Sequence, residues 1–165
     1  MTNRRADWIK AIEAEIGDAR GGLPEDVFLL VSRLTPLVNV DLLIKDPALG
    51  TLLTWRDVEF FGPGWHVPGG IIRYKESAAD RIRACAHDEL GAGIVPGAAP
   101  LLILEDVGSQ ESRGHHISLL YRCQLVTPPD ASRQAVDPPA PGHWRWHSVA
   151  PANLLDEQRE YARFF

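Results

Sequence analysis

Apolar residues recur at helical spacing in the first part of the chain. A helix predicted over residues 7–19 carries on one face the apolar side chains Trp8, Ile9, Ile12 and Ile16. A Gly-Gly pair follows this helix, and Pro24 stands near the start of a second helical stretch, EDVFLLVSRL. The pattern therefore predicts an N-terminal helical extension over residues 1–34.

From residue 36 onward the pattern changes to short apolar runs rich in β-branched residues, which is typical of strands. These runs are PLVNVDLLI, GTLLTW, the strand that follows the turn in GPGWHVPGGIIR, APLLILEDV, HHISLLYRCQLV and HWRWHSV. Helical patterns occupy residues 77–90 and 151–165, and a proline-rich loop precedes the last strand. Strands on both sides of a helix predict an α/β layered fold with a mixed sheet over residues 35–165.

Composition narrows the class of protein. The chain of 165 residues is long enough for one domain with a sizeable core, and 45% of its residues are hydrophobic. Its net charge is −5 and its aromatic residues are not interleaved with a Lys/Arg stripe, so no nucleic acid partner is expected. No apolar run approaches the roughly 20 residues that span a membrane, and the N-terminus lacks a signal-peptide pattern. We therefore expect a soluble cytoplasmic protein with no membrane partner.

The helix predicted over residues 77–90 ends in two carboxylates. Ser77 with Asp80 three residues later forms a capping-box-like start, which fixes the register of the helix. At about 100° per residue, Glu89 borders the apolar stripe that faces the core, and Asp88 lies further round the same flank. A carboxylate at that border loses hydration, and a divalent cation held by oxygen ligands would offset this cost. The alternative is that both residues are solvated acids at a helix end.

The spacing from Gly70 onward resembles the Nudix box, G-x5-E-x7-R-E-U-x-E-E-x-G-U, in which U is aliphatic. The positions that agree in identity are Gly70, Glu76, Glu89 and Gly91, and Asp88 is a conservative change. Two positions depart, because Ala84 replaces the arginine of the box and Cys85 replaces the first of its clustered glutamates. The resemblance implies a Nudix domain over residues 35–165, with an α/β/α sandwich and a mixed β-sheet.

Within that superfamily the chain is similar to the GDP-mannose mannosyl hydrolases. The similar blocks are TPLVNVDLLI, LLTWR, WHVPGG, HDELG, HHISLLYR and WRW. Members of that family cleave a nucleoside diphosphate sugar with Mg²⁺, by attack of water on the sugar carbon and release of the diphosphate. The resemblance therefore implies a small nucleotide sugar as the substrate, Mg²⁺ (or Mn²⁺ in its place) as the cofactor, and a homodimer as the assembly.

The resemblance also implies the metal ligands. Glu89 would be the main ligand, with the main-chain carbonyl of Gly69 or Gly70 and the carboxylate of Asp88 beside it. These are oxygen donors, which Mg²⁺ prefers, and substrate phosphates usually complete such a site.

Three further residues would contact the substrate. Arg56 would bind and neutralise the departing diphosphate, because a planar guanidinium matches phosphate oxygens. Asp41 would lie near the nucleotide or the sugar. An arginine that follows the glycine pair in the family is Ile71 here, and strand alternation predicts Arg73 on the same face. As alternatives, Arg56 is an exposed charge at a strand end and Asp41 a surface residue of a half-exposed strand.

The general base is missing from its expected place. The metal-binding Gln and general-base His of the family fall on Ala140 and Pro141, neither of which can do that work. An imidazole is suited to accepting a proton from water near neutral pH, so His143, His115 and His116 are the candidates. A solvent-facing or core role is the alternative for each of them.

The departures from the family pattern leave other functions open. A Nudix-fold module that binds a nucleotide or a protein without hydrolysis would tolerate Ala84, Cys85, Ala140 and Pro141, whereas Glu89 and the Gly-Gly turn favour an enzyme. Attack at phosphorus fits less well, because the carboxylate cluster that holds several metal ions is depleted.

Overall fold

The computed structural model describes residues 3–58, 61–108 and 115–165. Its α-helices are α1 (Arg4–Ile16), α2 (Glu25–Ser32) and α3 (Ala78–Cys85), and α3 continues into a π-helical turn, Ala86–Leu90. Its strands are β1 (Leu37–Asp46), β2 (Gly50–Val58), β3 (Phe61–His66), β4 (Gly69–Ile71), β5 (Ile94–Pro96), β6 (Leu102–Val107), β7 (His115–Leu125) and β8 (Trp144–His147). Short 3₁₀ turns occupy Ala19–Gly21 and Ala131–Arg133, and a longer 3₁₀ helix occupies Asp156–Phe164.

The strands form one mixed sheet that opens on one side. β1 and β7 run parallel, and the other pairings are antiparallel. β1 pairs with β2 at Lys45↔Thr51 and Asp46↔Gly50, at the far end of β1, so the two strands diverge toward the start of β1. β3 pairs with β2 whereas β4 pairs with β1, so the chain between β3 and β4 crosses this opening.

Both faces of the sheet are covered, which explains the nearly continuous burial along β1. Residues of α3 and its π turn pack on one face, in a cluster formed by Val40, Leu42, Leu52, Ile82, Leu90 and Trp144, among others. The C-terminal 3₁₀ helix packs on the other face, where Leu43, Leu53, Trp65, Leu120 and Tyr161 form a second cluster. The predicted α/β/α arrangement, with a mixed sheet and an N-terminal helical part, is confirmed.

Several elements differ from the prediction, among them β3 and β5, because residues 61–66 were assigned to a turn and no strand was predicted at residues 94–96. The first helix begins at Arg4 and ends at Ile16, where Gly17 takes a positive φ of 63° and terminates it. The helix predicted over residues 151–165 is present as a 3₁₀ helix, but it begins later than predicted, at Asp156. The residues before it cannot be helical, because Trp65 N–H donates to the Asn153 carbonyl and Leu155 N–H donates to the Trp65 carbonyl.

No helix of the described residues is both long and apolar enough to cross a bilayer.

α1 buries none of its side chains, and Trp8 and Ile9 on it are 57% and 50% exposed. The core of the protein therefore lies in the sheet and the two helical layers around it.

Candidate active site

A cavity of about 360 Å³ lies where β1 and β2 diverge, which is a volume suited to a small ligand. Three parts of the chain supply its polar walls: Asn39, Asp41, His116 and Ser118 from β1 and β7; Arg56, His66, Gly69 and Gly70 from β2 to β4; and Glu157 and Gln158 from the C-terminal 3₁₀ helix. The sequence did not predict that the C-terminal 3₁₀ helix would line this cavity.

The carboxylate of Glu89 is held rigidly beside this cavity. Its Oε1 accepts the main-chain N–H of Gly69 at 2.9 Å, and its Oε2 accepts the hydroxyl of Thr54 at 2.9 Å. The side chain is 23% exposed, and burial raises its pKa, against the positive charge of Arg56 and the two hydrogen bonds. Each carboxylate oxygen keeps a further lone pair, so both can still bind a cation.

The π-helical turn sets the direction of Glu89. The prediction assumed α-helical spacing up to residue 90, but the helix widens after Cys85 and closes at Gly91, which is left-handed with φ 63°. Such turns are frequent at functional sites. Asp88 points away, because its side chain is 65% exposed and its carboxylate lies 3.2 Å from the ring of His87. The structure therefore does not bring Asp88 together with Glu89.

Strand pairing distinguishes the two glycine carbonyls. Leu42 N–H donates to the Pro68 carbonyl and Ile72 N–H to the Val38 carbonyl, and these bonds mark the hydrogen-bonded pairs of the β1–β4 ladder. Because such pairs alternate with non-bonded ones, Gly70 lies in a bonded pair with Val40, whereas Gly69 does not bond to β1. The N–H of Gly69 points to Glu89 instead, and its carbonyl is left without a hydrogen bond to β1, so it could bind a cation.

Asp41 is a second buried carboxylate on the other side of Gly69. It is 6% exposed, and its Oδ2 accepts the hydroxyl of Tyr161 at 2.6 Å. Burial raises the pKa of Asp41, and hydrogen bonds from Tyr161 and Ser118 lower it. A Cβ atom at Gly69 would stand 2.5 Å from Asp41 Oδ1, so only glycine fits between the two acids. Asp41 is thus a buried cavity residue and not a surface residue.

A positive charge faces both acids. Arg56 lines the cavity, and its charge lowers the pKa of Asp41, Glu89 and His66. Among the described residues, there is no group of three or more His, Cys, Asp or Glu side chains that could hold a metal ion. The donor set around Glu89 and Gly69 consists of oxygens and fits Mg²⁺, which uses few protein ligands when substrate phosphates supply the others.

Thr54 and His66 complete the surroundings of Glu89, and the sequence analysis missed both. Burial lowers the pKa of His66 to about 3, so its ring is neutral. Its Nδ1 lies 2.9 Å from the Val67 carbonyl and therefore carries the proton, which leaves Nε2 as an acceptor 2.9 Å from the Thr54 hydroxyl. The Thr54 hydroxyl has a single hydrogen, so it can donate to only one of its two neighbours, Glu89 or His66, at a time. Thr54 therefore donates to Glu89 when that carboxylate is ionised, and to His66 when Glu89 holds a proton.

Arg81 forms an ion pair near the cavity that the sequence did not predict. Its Nε and Nη2 donate to the two carboxylate oxygens of Glu76 at 2.8 Å each, and Glu76 also accepts the N–H of Arg73. The pair ties the loop after β4 to α3, next to the glycines of the cavity. Arg81 lies three residues before Ala84, on the same side of the helix, and this spacing was a signal that the sequence offered.

Of the remaining residues that the sequence predicted for the site, the described cavity includes His116 but not His115, His143 or Arg73. His116 lines the cavity, with its Nε2 3.7 Å from Asp106. His115 lies 3.5 Å from exposed Glu105, and His143 accepts the N–H of Ala140 at 3.2 Å; neither is among the residues that line the cavity. The alternation argument for Arg73 does not hold, because β4 ends at Ile71 and Arg73 is exposed beyond it.

Solved structures share this architecture. A MutT Nudix hydrolase from Burkholderia pseudomallei matches with a TM-score of 0.60 and 20% identity, over 78% of this chain and 97% of that one. A UDP-X diphosphatase matches with a TM-score of 0.58 and 17% identity, over 94% and 74%. An ADP-ribose pyrophosphatase from Streptococcus suis matches with a TM-score of 0.56 and 18% identity, over 78% and 86%. The chain therefore has the Nudix fold, as the resemblance predicted.

Sequence comparison adds a partial relative. No protein-family model matches the chain. The low-salt glycan biosynthesis protein Agl8 of Haloferax volcanii is 35% identical over 72 residues, which are 44% of this chain and 46% of that protein. The match thus spans about half the length of this relative.

Proposed function

We propose that the protein is a Mg²⁺-dependent Nudix hydrolase of a nucleoside diphosphate sugar similar to GDP-mannose, in which water attacks the sugar carbon. The observation that carries this proposal is the Glu89 carboxylate, oriented by Gly69 and Thr54 beside a cavity that also contains Arg56. A fixed carboxylate next to a guanidinium suits a metal-bound diphosphate, since the two groups bind the cation and the phosphate oxygens respectively.

In this proposal the residues divide the work of stabilising the leaving group. Glu89 and the Gly69 carbonyl would hold the cation, which would supply positive charge to neutralise the diphosphate. Arg56 binds the phosphate oxygens, where negative charge grows as the bond to the sugar breaks. Removing one group of this kind typically lowers kcat by about 10²–10³. Asp41 pairs with Gly69 in the β1–β4 register, and in this position it would accept a hydrogen bond from a substrate hydroxyl.

One observation favours attack at carbon over attack at phosphorus, and another supports a nucleotide sugar as the substrate. The described residues lack a cluster of three or more acids or other metal-binding side chains, whereas attack at phosphorus commonly uses several metal ions to activate water. The name of the partial relative refers to glycan biosynthesis, and nucleotide sugars are the donors that such processes use.

The test is to incubate the purified protein with GDP-mannose and a panel of nucleotide sugars, with Mg²⁺ in H₂¹⁸O, and to identify the products. Free sugar carrying the label together with a nucleoside diphosphate is the expected result. A nucleoside monophosphate with a sugar phosphate would instead show attack at phosphorus.

A binding module without hydrolysis is the second candidate, and Cys85 favours it. The thiol packs on Gly70, where a Cβ atom would lie 2.9 Å from Sγ, and burial raises its pKa to about 12. A protonated thiol does not supply the metal ligand that the box carries at this position. Nucleotide binding in calorimetry without any product in the assay would make this candidate the better account.

A further inference from the structure

The C-terminal 3₁₀ helix is anchored against the cavity on both sides of Glu157. Gln158 accepts the N–H of Val67 at 2.6 Å and donates to the Val67 carbonyl at 3.4 Å, while Tyr161 donates to Asp41 at 2.6 Å. Val67 is two residues before Gly69, and Asp41 pairs with Gly69 in the β1–β4 register. Both anchors therefore tie the segment that carries Glu157 to the residues that flank Gly69.

Glu157 differs from the other acids of the site in having an uncommitted carboxylate. It is half-buried and lines the cavity, and among the described residues it has neither a hydrogen-bond partner nor an ion-pair partner. Asp41 by contrast accepts from Tyr161 and Ser118, and Glu89 accepts from Gly69 and Thr54. A carboxylate with free lone pairs that faces a ligand cavity is able to bind and deprotonate a water molecule.

The two histidines of the cavity are less well placed for this work. The Nδ1 of His66 donates to the Val67 carbonyl, and the Thr54 hydroxyl lies 2.9 Å from Nε2 and blocks that nitrogen from a water molecule. His116 pairs with Leu37 in register, four residues before Asp41 on β1. At a rise of about 3.3 Å per residue, its backbone lies roughly 13 Å along the strand from the level of Gly69. Its ring still reaches toward Asp41, whose pKa it lowers, so a variant of His116 is included in the second test.

We infer that Glu157 is the catalytic residue that accepts the proton of the attacking water. This inference rests on the proposed function. The water oxygen forms a bond to the sugar carbon, and the bond between that carbon and the diphosphate oxygen breaks, so the electron pair leaves with the diphosphate. The Glu157 carboxylate takes one proton from the water and returns it to solvent after the product leaves.

The first test is Glu157→Gln in the full chain, with Glu160→Gln as the matched control, because Glu160 is an exposed acid of the same 3₁₀ helix. Glu157→Gln is expected to lower kcat by about 10²–10⁴, the usual contribution of a general base, and to leave KM and the affinity for Mn²⁺ within about twofold. Glu160→Gln is expected to match the unaltered protein. A thermal melt establishes that both variants are folded.

The second test is rescue with azide, which is already anionic and needs no base. Glu157→Ala in azide is expected to regain release of nucleoside diphosphate and to form the glycosyl azide, because azide nitrogen then bonds to the sugar carbon. His116→Ala is expected to gain nothing from azide. An active protein whose Glu157→Gln variant keeps kcat within about threefold, or rescue of His116→Ala instead, overturns the assignment of Glu157 and leaves the hydrolase intact. An unaltered protein that releases no diphosphate from any nucleotide sugar removes the proposed function and, with it, this inference.

Discussion

Glu89 is the residue on which cation binding depends in the proposed mechanism. Glu89→Gln keeps the size of the side chain, and the amide oxygen can still accept the hydrogen bond from Gly69 or Thr54, but the negative charge is lost. We expect Mg²⁺-dependent turnover to fall by about 10²–10³ and Mn²⁺ binding to weaken strongly. Isothermal titration with Mn²⁺ and a steady-state assay measure the two effects separately.

Asp88→Asn is the matched control for this prediction, since Asp88 is the adjacent acid but its side chain is 65% exposed and points away from the site. It is expected to retain Mn²⁺ binding and turnover. If Glu89→Gln kept full Mg²⁺-dependent turnover, the metal role of Glu89 would be refuted.

At the level of single residues, the sequence predicted part of the candidate site. The spacing of the box located Glu89, and the glycine pair located Gly69 beside it. Thr54 and His66 were missed, because they lie in strands of ordinary composition and acquire their roles only when β2 and β3 pair at Thr54↔His66. Arg81 was missed because the box directed attention to Ala84, although the helical spacing of the two residues was readable.

At the level of elements, the pair of Arg81 and Glu76 links α3 to the loop that follows β4. The two side chains are 7% and 18% exposed, so Arg81→Ala leaves a poorly solvated carboxylate without its partner. We expect the free energy of unfolding to fall by about 3 kcal/mol, as is usual when one member of such a pair is removed. Urea unfolding followed by circular dichroism measures it.

Two variants test the cause of that loss. Arg83→Ala breaks an exposed pair with Asp80, whose side chains are 57% and 64% exposed, and should cost at most about 1 kcal/mol. The double variant Arg81→Ala/Glu76→Ala removes both charges and should cost less than the two single changes added together. Strict additivity would mean that the two residues stabilise the fold independently.

Elements were predicted well where local pattern decides them and poorly where distant contacts do. The apolar runs located the long strands and α3, but periodicity does not distinguish a π-helical turn from the end of an α-helix. The C-terminal segment was predicted as a helix from its first residue because its own sequence allows one. Its first residues instead bond to Trp65 in β3, and this long-range pairing also brings Glu157 to the cavity.

At the level of the whole molecule, α1 carries an exposed apolar face. α1 buries none of its side chains, and its apolar residues Trp8, Ile9 and Ile12 are 57%, 50% and 38% exposed. Apolar side chains that share one face of a helix are usually covered by another element, since about 25 cal/mol is gained per Å² buried. We propose that α1 packs against a second copy of the chain.

Light scattering coupled to size exclusion is expected to give twice the 18.3 kDa of one chain. Ile12→Glu places a charge in the middle of the apolar face and should shift the protein to the monomer, because an unpaired charge in an apolar contact is costly. Val136→Glu, at a site that is 70% exposed outside α1, is the control and should remain dimeric. A monomer for the unaltered protein at micromolar concentration would remove the dimer, and a dimer that persists in Ile12→Glu would mean that the contact lies elsewhere. Since α1 is separate from the cavity, turnover per chain should survive dissociation.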